Sequence, residues 1–557
     1  MCGISGIYSG HLLADKTHFV QNSLNKLKHR GPDCQEIYQD EHVVLGHARL
    51  SIIDVDERAN QPMISSCGNY VLVFNGEIYN YGELKNDLLK LGVEFKTSSD
   101  TEVLLYGLMK FGADFIQKLD GFFAFAFFQK DSKELLIARD RLGIKPLLYA
   151  QHKNEFYFAS ELSAIMEYDF EKNVDNESLA YLLQYSYIPS PRTILTQVSK
   201  LEPGCYLKVN QKGIEKTAYF ELSNQENQDI SFQEASEKLK FHLEGSVANR
   251  LVADVPLGTF LSGGFDSSII TGIASQFKND LNTFSIGFKD NPYFDESEAA
   301  LKTAKEFGTY HHAIQISKNE LQNEIESILE SFDEPFGDSS AIAVYFLAKE
   351  TKKHVTVALS GDGADELFAG YNKHKAFYKA NTGSNLALKM ANPFSKIVSP
   401  NNTSKLGNVS RKISKFNQLL KTKPDQKYDF LASFNAPAKV NSLLKFNAAE
   451  YSSRAVQNTN DFLLEDQRFI LPNDMLKKVD LMSMRHSLEV RTPFLDHHVV
   501  NFVNTLPEDF KINESGQKII LKDAFKDMLP KHLFGLPKKG FEVPLTAWLE
   551  DVIGAYF

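Results

Sequence analysis

Val255-Pro256-Leu257-Gly258-Thr259-Phe260-Leu261-Ser262-Gly263-Gly264-Phe265-Asp266-Ser267-Ser268-Ile269-Ile270 reads as strand, glycine loop and helix in direct succession. The apolar run over 255–261 suits a strand buried on both faces, and a helix is expected from Ser267. Two glycines between them let backbone N–H groups approach a phosphate closely, and the helix N-terminus adds unpaired donors and a favourable dipole. No lysine follows the glycines, so this is not the G-x-x-x-x-G-K-[ST] loop. Asp266 follows instead, and a carboxylate there suits a Mg²⁺ ion bridging phosphates. The plain alternative is a turn with no ligand.

Working outward, strand-like and helix-like segments alternate: 283–288 then a helix through Lys305, and 354–359 then a helix near Asp365. Such alternation predicts a parallel sheet with helices on its faces and ligands at the carboxyl ends of the strands. Leu359-Ser360-Gly361-Asp362-Gly363-Ala364-Asp365-Glu366 repeats the design at another strand end. Asp365 offers a second metal ligand and Asp362 stands where it can act on an acceptor; acidic helix capping is the alternative. Gly516-Gln517-Lys518 introduces a further helix, and Lys518 suits charge developing on an α-phosphate, against the alternative of a surface lysine. The C-terminal third reads as mostly helical, with the basic, Asn- and Ser-rich stretch 380–423 as a solvated surface excursion.

The first part of the chain has a different texture. Short β-rich runs at 43–45, 70–74, 122–128, 135–137 and 156–158 are punctuated by turns at Asn75-Gly76 and 130–133, with helical periodicity at 22–29 and after Asp100. This pattern predicts an α+β sandwich of stacked sheets. At 557 residues the chain exceeds what one core serves, and the polar stretch 222–233 marks a boundary. The expected division is 2–210, a linker 211–233, and 234–557.

Composition narrows the function. A net charge of −10 spread along the chain speaks against nucleic acid as an electrostatically captured partner. Four cysteines (Cys2, Cys34, Cys67, Cys205) form no C-x-x-C pair and match no zinc spacing, which favours a reduced, cytoplasmic setting. The most apolar run, 122–128, is too short to cross a bilayer, so no membrane partner is expected.

Met1-Cys2-Gly3-Ile4 adds a second candidate centre. Removal of Met1 would leave Cys2 with a thiol and a free α-amine, whose neutral form acts as base on the thiol. An incidental early cysteine is the alternative. Its company strengthens the chemical reading. Arg49 suits a bidentate grip on a carboxylate, and Asn75 with Gly76 offers donors for an oxyanion, with Glu77 beside them. Asp100 either caps its helix or holds a ligand amine.

Together with His29-Arg30-Gly31-Pro32-Asp33, Arg139-Asp140-Arg141-Leu142-Gly143, Asp333-Glu334-Pro335-Phe336 and Glu489-Val490-Arg491-Thr492-Pro493-Phe494-Leu495-Asp496, these motifs resemble the glutamine-dependent asparagine synthetase family over most of the chain. The resemblance implies an N-terminal-nucleophile α+β glutaminase sandwich, followed by an α/β parallel-sheet ATP-pyrophosphatase domain with a helical C-terminal part. It implies that Cys2 attacks glutamine, that Asn75 and Gly76 stabilise the oxyanion, and that Arg49, Ile52, Asn75, Glu77 and Asp100 bind glutamine. Leu261, Ser262, Gly263, Gly264, Asp266, Ser267, Ile286, Ser360 and Gly361 would bind ATP. Asp266 and Asp365 would bind Mg²⁺, while Asp362 and Lys518 support adenylation. Ammonia would cross an internal tunnel to an acyl-adenylate, with release of AMP and pyrophosphate. Two departures stand out: Asp362 where the family's asparagine synthetases carry glutamate, and Leu481 where many relatives carry arginine.

The leading expectation is therefore ATP-dependent amidation of L-aspartate by ammonia from glutamine. The rival within that chemistry is another carboxylate, such as a sugar uronate, and the rival outside it is a non-catalytic nucleotide-binding regulator. The expected partners are small molecules, and a homodimer stays open.

Overall fold

The computed structural model describes residues 2–289, 295–383, 405–444, 456–535 and 543. Its N-terminal part stacks two six-stranded antiparallel sheets. Strand Gly3–Ser9 lies inside the first, between Val43–Arg49 and Glu155–Ala159. In the second, Tyr70–Ile78 pairs with Gly121–Gln129, which pairs with Glu134–Arg139. Side chains of the two facing surfaces, including Ile4, Tyr8 and Val43 from one and Val73, Ala126 and Ile137 from the other, form one dry layer. Helix Thr17–Lys26 packs on the outer face of the first sheet, and Tyr81–Lys90 and Asp100–Phe111 on that of the second. The α+β sandwich expected from the β-rich runs is present.

Two expectations fail here. Asn75 and Gly76 are no turn: they lie within Tyr70–Ile78, opposite Ala124 and Phe123. The apolar pairing partners override the local turn preference, and a Cβ on Gly76 would fall 2.2 Å from the Phe122 carbonyl oxygen. Residues 213–218, expected as linker, form a strand paired with Cys205–Asn210, so sheet structure continues to Ala218.

Beyond helix Phe232–Arg250 a five-stranded parallel sheet runs in the order Tyr310–Ile316, Asn282–Phe288, Leu257–Phe260, Val357–Leu359, Glu489–Arg491. The chain winds outward from Leu257–Phe260 in one direction and then returns to its other side. The loops after Leu257–Phe260 and Val357–Leu359 therefore face each other across the switch point, where such sheets bind ligands. The strands Tyr310–Ile316 and Glu489–Arg491 escaped the sequence reading. Helices dominate afterwards, as expected. The surface excursion is corrected in its described part, because Lys405–Leu419 is a helix whose Phe416 and Leu419 are buried with Phe377, Tyr428 and Phe462. Residues 384–404 of that stretch lie outside the described residues.

The two parts share a core. Leu50, Ile52, Phe122, Leu142 and Ile144 pack in one cluster with Leu243, Val247, Leu464 and Leu495, so the halves meet through apolar surface.

Candidate active site

The centre expected around Cys2 is built on strand ends at that shared surface. Cys2, only 7% exposed, donates its backbone N–H to Asn75 Oδ1 at 2.9 Å, and its Sγ lies 3.8 Å from the Leu50 carbonyl. Burial pushes the Cys2 thiol up, so a base is needed to form the thiolate. With its oxygen engaged, the amide of Asn75 leaves Nδ2 buried and without a hydrogen-bond partner, a donor available to an oxyanion. Asp100 begins helix Asp100–Phe111, but Ser99 is the residue that caps it, accepting from the Glu102 N–H. Asp100 instead accepts from the Ile78 N–H at 2.9 Å, and burial raises its carboxyl to about 6. Burial, with Glu489 and Asp100 nearby, holds the Glu77 carboxyl well above the ordinary glutamate range, and its Oε2 lacks a partner.

Two of the expected glutamine-binding residues point elsewhere. Arg49 gives Nη1 to the Asp56 carbonyl at 2.9 Å and to Asn60 Oδ1 at 2.6 Å, and Nη2 to the Asp54 carbonyl, so it anchors the loop 54–60. Ile52 packs in the interdomain core, and its carbonyl accepts from the Asp254 N–H at 2.9 Å.

Contacts between the two halves bring in residues that the sequence reading left without a role. Arg491 is fully buried, gives Nε to Glu489 Oε1 at 2.5 Å, and holds Nη2 3.5 Å from Glu77. Arg30, also fully buried, donates Nε to the Cys2 carbonyl at 3.1 Å and a bidentate pair to Asp480 at 2.7 and 3.0 Å, with Glu161 at 2.8 Å. The sequence carries a signal only for a partner of Arg30, since Asp480 stands inside the apolar run Val479-Asp480-Leu481-Met482. A cavity of about 50 Å³ lies between the halves, lined by Ile144, Leu147, Leu476 and Leu481 together with Lys200 and Glu334.

The second centre forms at the switch point. Gly263 has φ +78°, and a Cβ there would meet Ala299 at 2.9 Å. Gly361 approaches the Ser267 N–H so closely that its own Cβ would stand 2.9 Å away. The two loops thus touch through glycine. Ser262, Gly264 and Ser267 hydrogen-bond among themselves at 3.1 to 3.4 Å, which fixes the loop. Leu261 and Ile286 are buried at the ends of neighbouring strands, and Ser360 Oγ donates to Asp362 at 2.7 Å.

Lys518 joins the two acids expected to hold metal: it pairs with Asp266 at 2.5 Å and with Asp365. The two carboxylates hold its ammonium well above the ordinary lysine range against the cost of burial. Asp266 Oδ1 remains buried and unpartnered. A pair of carboxylates with one spare oxygen has the hard-oxygen character that Mg²⁺ requires. Gly370 permits this packing, because a Cβ there would lie 1.8 Å from Asp365 Oδ1 and 2.3 Å from Lys518 Cε. Every residue expected at the nucleotide site is therefore gathered around the two loops or on the strand beside them.

The Asparagine synthase family model matches residues 238–555 and the Glutamine amidotransferase domain model residues 1–220. The chain is 35% identical to Asparagine synthetase [glutamine-hydrolyzing] 1 of Bacillus subtilis, over 99% of this chain and 88% of that one. It is 32% identical to a putative asparagine synthetase [glutamine-hydrolyzing] of Mycobacterium bovis, over 96% and 85%. It is also 27% identical to Amidase chry2 of Gibberella zeae, over 98% and 90%.

Proposed function

The chain belongs to the asparagine synthase family and is an amidotransferase ligase that uses glutamine and ATP; on that premise we propose that its acceptor is L-aspartate and its product L-asparagine. The observation that supports this reading is two chemically different clusters meeting across one apolar interface: Cys2 against Asn75, and Asp266 with Asp365 against Lys518. The names of the relatives support aspartate as the acceptor.

In this reading Met1 is removed and the α-amine of Cys2 takes the thiol proton. The thiolate attacks the side-chain amide carbon of glutamine, and Asn75 Nδ2 with the Gly76 N–H receives the developing oxyanion. Protonation of the departing nitrogen frees ammonia, and water then hydrolyses the thioester to glutamate. Ammonia passes through the cavity between the halves, which Ile144, Leu147, Leu476 and Leu481 line together with Lys200 and Glu334.

At the switch point the acceptor carboxylate attacks the α-phosphorus of ATP, pyrophosphate leaves, and Lys518 offsets charge on the phosphate. Asp266 and Asp365 would hold Mg²⁺, which when bound neutralises phosphate charge. Ammonia attacks the acyl carbon of the adenylate, and AMP departs with the acyl oxygen. The four free cysteines fit a cytoplasmic setting.

The test is stoichiometric. Processed enzyme given L-aspartate, glutamine and ATP should form asparagine, AMP and pyrophosphate in equal amounts. AMP at background with aspartate, but above it with a uronate, would replace the acceptor.

A further inference from the structure

Asp120 takes no part in the chemistry above. It stands just before strand Gly121–Gln129, and its backbone is fixed on both sides: the N–H donates to Asn80 Oδ1 at 2.9 Å and the carbonyl accepts from the Tyr79 N–H at 2.7 Å. Asp496, His497 and His498 face it from the other half of the chain, where Asp496 caps helix His497–Asn504 by accepting from the His498 N–H at 2.8 Å. One ligand atom from each of the four residues lies within 4.8 Å of all the others. Among the described residues no other group of three or more His, Cys, Asp and Glu side chains comes so close.

These donors are open to a ligand. Asp120 is 7% exposed, yet among the described residues no hydrogen bond of 3.5 Å or less reaches its carboxylate, and His497 Nδ1 stands at 3.6 Å. An enclosed carboxylate without a bonded donor is costly unless a cation joins it. The rings of His497 and His498 lie 4.0 Å apart, at the edge of solvent. Arg250 Nη1 bonds Asp496 Oδ2 at 2.8 Å, and its charge also acts on Asp120. One guanidinium against two carboxylates leaves one negative charge uncompensated while the imidazoles are neutral.

We propose that Asp120, Asp496, His497 and His498 form a zinc site that ties the two halves together. Two imidazoles with two carboxylates suit a borderline ion: Zn²⁺ holds such ligands at about 2.0–2.2 Å in a tetrahedron, whereas Mg²⁺ and Ca²⁺ take oxygen. His498, exposed, has room to close on the ion. Phe122 and Phe123, next along the chain from Asp120, pair with Glu77 and Gly76 of the glutamine centre, and Asp496 lies shortly after strand Glu489–Arg491. The ion thus stiffens the joint without touching either reaction, whichever carboxylate is amidated.

Full-length enzyme stripped of metal by a chelator is titrated with Zn²⁺ and, separately, with Co²⁺. One equivalent of Zn²⁺ should bind with a Kd on the order of 1 μM. The Co²⁺ form should show visible d–d absorption without a sulfur-to-metal charge-transfer band, which separates this site from the four cysteines. Free Zn²⁺ 100-fold above the Kd should raise the transition carrying the interface by about 5–11 °C. His498→Ala changes an exposed side chain, so it should fold normally, bind Zn²⁺ at least about tenfold more weakly and lose most of that shift. Asp120→Asn should do the same from the opposite half. No bound equivalent, a sulfur charge-transfer band, or native affinity in both variants overturns the site.

Discussion

Replacing Asp480 by alanine should loosen the joint between the two catalytic halves. In the native chain Arg30 is fully buried and makes four charge-assisted contacts, two to Asp480, one to Glu161 and one to the Cys2 carbonyl. Removing one partner of a buried ion pair costs about 3–5 kcal/mol. Glu161 stays at 2.8 Å to neutralise the guanidinium, which places Asp480→Ala near the lower end, at about 3 kcal/mol. At roughly 2–4 °C per kcal/mol for domains of this size, the transition carrying the interface falls by about 6–12 °C.

Asp480→Asn retains one acceptor oxygen and should lose about half as much. Because Arg30 also holds the Cys2 carbonyl, the ratio of amide formed to glutamine hydrolysed should drop along with stability. Differential scanning calorimetry and a paired assay of glutamate and asparagine read both effects. A shift of under about 2 °C with an unchanged ratio would refute the strut assigned to this pair.

Four further outcomes follow from the geometry. Cys2→Ala should abolish glutamine use while added ammonia still supports amide formation; loss of both in a folded protein contradicts two separate centres. Asp266→Asn removes an acid paired with Lys518 and should cut AMP formation by at least about 100-fold with glutamine hydrolysis retained, measured by AMP release. Gly370→Ala would press a Cβ on Asp365 and Lys518, so AMP formation should fall at least about tenfold in a chain that still hydrolyses glutamine. Asp100 has its carboxyl raised to about 6, so it is protonated below that pH and cannot hold a glutamine ammonium. The glutamine KM should accordingly rise about tenfold per pH unit below 6. The same raised carboxyl stabilises the fold fully below its unfolded value near 3.9, and that contribution is lost as pH rises through about 6. A glutamine KM flat from pH 7 to 5 removes the role.

Local patterns revealed the parts whose physics is local. Strand, glycine loop and helix around Gly263 could be read from hydrophobic runs and from glycine, since both the approach to phosphate and the close contact of Gly361 with Ser267 require a missing side chain. Asn75-Gly76 misled as a turn because its conformation is imposed by Phe123 and Ala124, residues nearly fifty positions away. Strand Glu489–Arg491 was missed because three residues give no periodicity; it exists through pairing with Val357–Leu359. Arg30 and Arg491 were hidden for a related reason. Each acts through partners on distant elements, and a buried charge in sequence looks the same as an exposed one until its partner is found.

Strand Gly3–Ser9 is flanked on one side by Val43–Arg49 and on the other by Glu155–Ala159, with Cys2 sealed at its head. On a translating ribosome the second flank emerges some 150 residues after the first strand, a delay of roughly 8–30 s at typical elongation speeds. Trimming of the leading methionine by a peptidase has that interval in which to reach an open end. Slowed processing, or a tag fused ahead of Cys2, would thus yield a chain that folds and adenylates yet stays deaf to glutamine.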